Sequence, residues 1–273
     1  MNFWIVLLVA IFTTDGASGV KIKELRVPRT YIMDEQADPM RNPLILDCEY
    51  EVEPGESGFV LKWLKGDQPV YQWIPGSKPY PISFFRGRVD TKYEASKHAI
   101  SKHRAVSIVR PTWNMTGDYT CSVQTFQSQD RRTASLLIVV PDKDFQLSYN
   151  CCDEENAIVV QCSTYNVYPE PSLTLTVDDM LVDSGTEKKR RKEDGMYESI
   201  LTWRVPRVQV DPPVTFNCAL SIPGTNYTAR RETIYYTGSG TSSVDVIMLR
   251  ISWSVLVVMA LLINHLLGKR RLL

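Results

Sequence analysis

Apolar residues occupy every second position at Leu44, Leu46, Cys48 and Tyr50, and again at Phe59, Leu61 and Trp63. A period of two lines up one face of a strand, so these stretches predict two half-buried strands, with Lys62 and Leu64 turned outward. Tyr119, Cys121 and Val123 repeat the inward pattern, which leaves Thr120, Ser122, Gln124 and Phe126 on the opposite face. Further strands are predicted over 104–109 and over 134–140, the latter ended by Pro141, while Val70-Tyr71-Gln72-Trp73-Ile74 is closed by the turn signal Pro75-Gly76. The pattern continues beyond residue 142, with Leu173 and Leu175 following Pro169 and Pro171, and with Leu201-Thr202-Trp203-Arg204-Val205 as another strand. Short runs of Val, Ile, Thr and Tyr between scattered Gly and Pro favour an all-β chain over a helical one.

Cysteine and tryptophan placement turns that pattern into an architecture. Cys48 and Cys121 stand 73 residues apart, with Trp63 on the strand after the first of them. Gly117-Asp118-Tyr119-Thr120-Cys121 puts a tyrosine two residues before the second cysteine, where a tyrosine corner belongs. This is the core pattern of a variable-type immunoglobulin sandwich, expected over 20–141 with a Cys48–Cys121 disulfide that contributes about 4 kcal/mol by loop closure. Cys162 and Cys218, 56 residues apart, predict a second disulfide in a constant-type sandwich over 142–237. That domain has no tryptophan where strand C should carry one, and Phe216 takes the tyrosine position; Trp203 is a candidate substitute for the missing core ring.

The two ends determine where such disulfides could form. Residues 1–19 read as a signal peptide, an apolar run with Ala17 and Gly19 before the cleavage point, although the usual positive start is absent. Gly-Ser-Gly-Thr-Ser-Ser opens a spacer over 238–246, and 247–268 is apolar enough, at about 33 Å as a helix, to cross a hydrocarbon core of about 30 Å. The basic end 269–273 would then be cytoplasmic, giving a single-pass cell-membrane protein with its domains outside the cell. Small residues at 239–243 before an apolar tail leave a lipid anchor, or a shed ligand, as an alternative. Arg250 and Asn264 within the apolar segment raise another alternative, an accessory subunit of a larger membrane receptor complex.

Composition narrows the chemistry. In 273 residues there are 31 Lys+Arg and 31 Asp+Glu, so no overall field attracts nucleic acid, and recognition must be local. The three histidines have no nucleophile or ligand partner at a useful spacing, and the six cysteines lack zinc spacing. No enzymatic activity, cofactor or metal is expected. Asn114-Met115-Thr116 and Asn226-Tyr227-Thr228 are glycosylation sequons. The pairing of the adjacent Cys151 and Cys152 stays open. Lys188-Lys189-Arg190-Arg191-Lys192 reads as a solvated hairpin loop, with a heparan-type glycan site as its alternative. Tyr71, Trp73, Tyr80, Phe84 and Phe85 divide between core and interface. Their place after strand C, beside outward Leu64 and Phe126, points to a partner-binding set of Lys62, Leu64, Tyr71, Trp73, Gln124 and Phe126.

Four stretches of the first domain are Leu61-Lys62-Trp63-Leu64-Lys65-Gly66, Val70-Tyr71-Gln72-Trp73-Ile74-Pro75, Phe84-Phe85-Arg86-Gly87-Arg88-Val89-Asp90 and Gly117-Asp118-Tyr119-Thr120-Cys121. Together they resemble the beaten path family of insect cell-surface immunoglobulin proteins. The resemblance implies a recognition or adhesion receptor that binds a sidestep-type immunoglobulin protein on another cell, in axon guidance or synaptic partner matching. The second domain departs from the pattern, and Met115 stands where variable domains usually place an aspartate. Self-association is also left open.

Overall fold

The computed structural model describes residues 19–34, 38, 42–151 and 153–236. Residues 1–18 of the expected signal peptide, Cys152, the spacer, the apolar segment with Arg250 and Asn264, and the terminal basic cluster lie outside the described residues. No helix among the described residues is long and apolar enough to cross a membrane.

The first sandwich is built from β1 (Val20–Arg26), β2 (Thr30–Ile32), β3 (Leu44–Val52), β4 (Val60–Lys65), β5 (Gln68–Trp73), β6 (Tyr80–Pro81), β7 (Val106–Ile108), β8 (Gly117–Gln124) and β9 (Gln129–Val139). One sheet runs β1-β3-β7, and the facing sheet of six strands runs β2-β9-β8-β4-β5-β6. Cys48 on β3 and Cys121 on β8 join the two sheets through a disulfide, over Trp63, which is fully buried. The Trp63 indole donates to the Arg104 carbonyl at 3.1 Å, and the Tyr119 hydroxyl donates to the Met115 carbonyl at 2.7 Å, which completes the corner expected from the sequence. The strand expected over 104–109 is shorter, and the stretch between Asp90 and Arg104 forms turns rather than a ladder. Three aromatic donors hold that stretch to the core: besides Trp63, Tyr50 donates to Ile100 O at 2.8 Å and Tyr71 to His103 O at 3.0 Å. These part-buried carbonyls lie outside any ladder and take their partners from the aromatic side chains instead.

The second sandwich comprises β10 (Gln146–Asn150), β11 (Ala157–Val167), β12 (Ser172–Val177), β13 (Met180–Leu181), β14 (Thr186–Arg191), β15 (Tyr197–Pro206), β16 (Val214–Ser221) and β17 (Thr228–Tyr235). Its sheets run β10-β11-β15-β14 and β13-β12-β16-β17, bridged by Cys162–Cys218. Phe216 is fully buried, and around it gather Tyr149 at 5.9 Å, Trp203 at 6.3 Å and Tyr235 at 6.5 Å between ring centroids. Trp203 thus supplies aromatic packing from β15 in a core without a strand C indole.

The basic run corrects its expectation. Lys188 to Arg191 are not a hairpin loop but part of the edge strand β14, paired along β15 from Thr186↔Thr202 to Arg191↔Tyr197. Two of its four cations have acidic neighbours, Arg190 with Glu198 at 2.6 Å and Lys189 with Glu170 at 3.4 Å, while the Arg191 guanidinium lies 5.9 Å from the Tyr197 ring centroid. Lys188 and Arg191 have no carboxylate partner among the described residues, so only part of the strand's charge is neutralised locally.

β9 passes directly from one sandwich to the other. Val139 is packed in the second core, and Val140 bridges to Tyr168. The Trp113 ring packs at a tilt against Tyr168, 5.2 Å between centroids, and lies against Gly195, where a Cβ would overlap it.

Candidate recognition surface

The outward face of the six-stranded sheet follows from register. Lys62 on β4 pairs with Ser122 on β8 and Gln72 on β5, Ser122 pairs with Arg131 on β9, and Gln72 pairs with Tyr80 on β6. Partners across a ladder share a face, so Tyr80, Gln72, Lys62, Ser122 and Arg131 form one row across the sheet. Gln124 pairs with Gln129 in the adjoining row, next to Val60, while Leu64 and Thr120 make the row on the other side.

The same register corrects the expected contact set. Trp73 pairs with Leu61, and Tyr71 with Trp63, so both rings share the inward face of β4. Each is only 2% exposed. Trp73 packs edge-on against Phe59 and against the His103 ring, at 6.3 and 5.6 Å between centroids, and belongs to the core. A register shift between Trp63 and Leu64 opposite Tyr71 and Pro69 leaves Val70 and Tyr71 both buried, which breaks the alternation on β5. Lys62, Leu64, Gln124 and Phe126 do face outward, Lys62 and Leu64 half-buried and Gln124 and Phe126 exposed. Parity already set Ser122 outward and Tyr80 stood among the aromatic candidates, but sequence reading missed Gln72 and Arg131 as members of this face. Only the cross-strand register identifies them.

Phe126 occupies the hairpin tip between β8 and β9, 84% exposed. Its ring lies over Gly58, whose φ of +69° and missing Cβ admit it, and its amide donates to Ser57 O at 2.9 Å. Thr125, bonded to Glu56 and to the Ser128 backbone, fixes the turn beneath it. The ring is therefore displayed at one end of the face by a constrained loop.

Charge distinguishes the two outer faces of this domain. On the opposite sheet, Arg26 pairs with Glu24, with Asp47 at 3.0 Å and with Glu49 at 2.9 Å, and Arg104 pairs with Asp47 at 3.0 Å. The hydrogen bond from Arg26 holds the Glu24 carboxyl below the usual carboxylate range. On the six-stranded face, Lys62 and Arg131 make no ion pair among the described residues. Arg86 lies over the Tyr80 ring at 5.8 Å and donates to its hydroxyl at 3.0 Å, so it too extends along this row without a carboxylate. Of the nearby acids, Asp118 accepts from Ser135 at 2.5 Å, and Asp130 is turned to the sheet edge, accepting from the Ile22 amide at 2.7 Å.

Both sequons are exposed. Asn114 sits in the 3-10 turn Trp113–Met115, at the opposite end of β8 from Phe126, and Asn226 lies in the turn between β16 and β17. Cys151 is disulfide-bonded and its sulfur lies 3.4 Å from the Tyr235 hydroxyl. His103 donates from Nδ1 to Tyr93 O at 2.7 Å and closes the edge of the core, a structural role. Among the described residues no cluster of His, Cys, Asp and Glu could hold a metal ion.

No family model and no curated protein matches the chain. Among solved structures it is similar to bovine butyrophilin, with a TM-score of 0.57 and 17% identity over 76% of this chain and 94% of that one. It is also similar to the extracellular portion of mouse CD200RLa, with a TM-score of 0.43 and 15% identity over 75% of this chain and 95% of that one. The fold is thereby defined: two tandem immunoglobulin-like β-sandwiches, each closed by its own disulfide.

Proposed function

We propose that the chain is a cell-surface recognition protein without enzymatic activity, whose first domain binds another cell-surface protein through the outward face of β9-β8-β4-β5-β6. The observation that carries this reading is the combination of unpaired cations, amides and an exposed ring on one sheet face, beside a back sheet whose charges neutralise one another. Such a mixture of Arg, aromatic and amide side chains suits a protein interface. The resemblance to the beaten path family makes a sidestep-type immunoglobulin protein the first candidate partner, in axon guidance or synaptic matching. Membrane attachment through the apolar segment is part of the same proposal.

A glycan wedge tests it. Ser122→Asn with Gln124→Thr places a sequon in the middle of the face, while the full chain is displayed on cells and screened against a collection of cell-surface immunoglobulin ectodomains that includes the sidestep type. Binding by the wild-type chain and its loss in the wedge variant is the expected result. Binding that persists with the wedge occupied would move the contact elsewhere.

A further inference from the structure

We infer that the six-stranded face is built for a partner of a different kind from itself, an acidic protein surface, and that it resists pairing with a second copy of this chain. This deepens the reading above and rests on it. Arg86 on Tyr80, Lys62 and Arg131 stand along one cross-sheet row. At about 4.8 Å between neighbouring strands, Tyr80 and Arg131 each lie two strands from Lys62, so the cations are spaced by about 10 Å. Gln72 and Ser122 fill the intervals, and no carboxylate stands in the row.

Symmetry turns this into selectivity. A two-fold contact sets a patch against the same patch, so here cations would meet cations or amides and find no carboxylate to receive them. Like charges brought together in an interface disfavour the wrong partner, while an opposing acidic face gains both attraction and faster encounter. The spacing also selects among anions. Sulfated polysaccharides are held by dense basic clusters, whereas three cations separated by neutral hydrogen-bonding side chains fit carboxylates distributed over a protein sheet.

The chain itself supplies the probe. Lys62→Glu with Arg131→Glu gives a face of the same shape and opposite charge; neither side chain has an ion-pair partner to lose, and unchanged thermal unfolding checks that the variant folds. Full-length wild-type and charge-reversed chains are coated on beads of two colours. Mixed-colour clusters should form in about 50 mM salt and fall about tenfold by about 500 mM, where charges are screened within about 5 Å, while each colour alone stays dispersed. The neutral variant Lys62→Gln with Arg131→Gln should not cluster with the charge-reversed beads. Wild-type beads clustering with themselves would overturn the inference, as would mixed beads that stay dispersed. Retention of the wild-type chain on immobilised heparin above about 0.5 M salt would also overturn it, in favour of a glycan. Loss of binding in the glycan-wedge screen alongside dispersed mixed beads would leave the face as the contact and remove only its charge preference.

Discussion

Replacing Trp73 by alanine separates core from interface in one measurement. The side chain is 2% exposed, packed between Phe59 and His103, with its indole donating to Ser77 O at 3.3 Å. Removing a buried indole costs about 3–5 kcal/mol, part of it the lost transfer energy and part the cavity left behind. The hydrogen bond is long and adds little, and β5 is next to the short edge strand β6, which can relax; about 3 kcal/mol is the expected loss. At about 3–6 °C for each kcal/mol in a domain of this size, the first-domain transition should fall by about 10–20 °C. Phe126→Ala is the control, because an 84% exposed ring on a loop should change stability by under about 0.5 kcal/mol. Scanning calorimetry of the full chain is the suitable assay, since the two sandwiches need not unfold together and the substitution removes a fluorophore. A shift below about 3 °C for Trp73→Ala, or equal shifts for the two variants, would refute the assignment of Trp73 to the core.

Two more predictions concern three buried tyrosines and the domain junction. Burial pushes the phenols of Tyr50, Tyr71 and Tyr119 well above the ordinary tyrosine value. Their neutral forms therefore favour the folded state fully below about pH 10, and that stability is lost as the pH rises past the value at which the unfolded chain ionises. The urea midpoint of the first domain should hold to about pH 9.5 and then fall by pH 11.5, less steeply in Tyr71→Phe; a flat profile would show these rings to be solvated. Gly195→Ala adds a Cβ at φ +86° against the Trp113 ring, so it should destabilise the second domain by about 1–3 kcal/mol and alter Trp113 emission, whereas unchanged unfolding and emission would mean that the Trp113–Tyr168 contact is not held from this side.

The contrast between β4 and β5 shows where sequence reading succeeds and where it stops. On β4 and β8 a disulfide cysteine and a core tryptophan anchor the parity, so the directions of Lys62, Leu64 and Gln124 follow by counting. On β5 the spacing of Tyr71 and Trp73 says only that they share a face. Which face depends on the pairing Leu61↔Trp73 and on the shift beside Trp63, both set by the turn at Gly66 rather than by the strand's own pattern. The same limit hid the cationic row. Lys62, Arg131 and Arg86 are far apart in sequence, and their charges vanish in a chain with equal totals of each sign; four ladders bring them together. The basic run on β14 illustrates the converse. It is conspicuous in the sequence, yet pairing with β15 sets Arg190 beside Glu198, so part of the most visible charge cluster is neutralised locally, while the least visible one has no carboxylate in its row. Charge that matters for binding is charge left unpaired after folding, and only the register decides which that is.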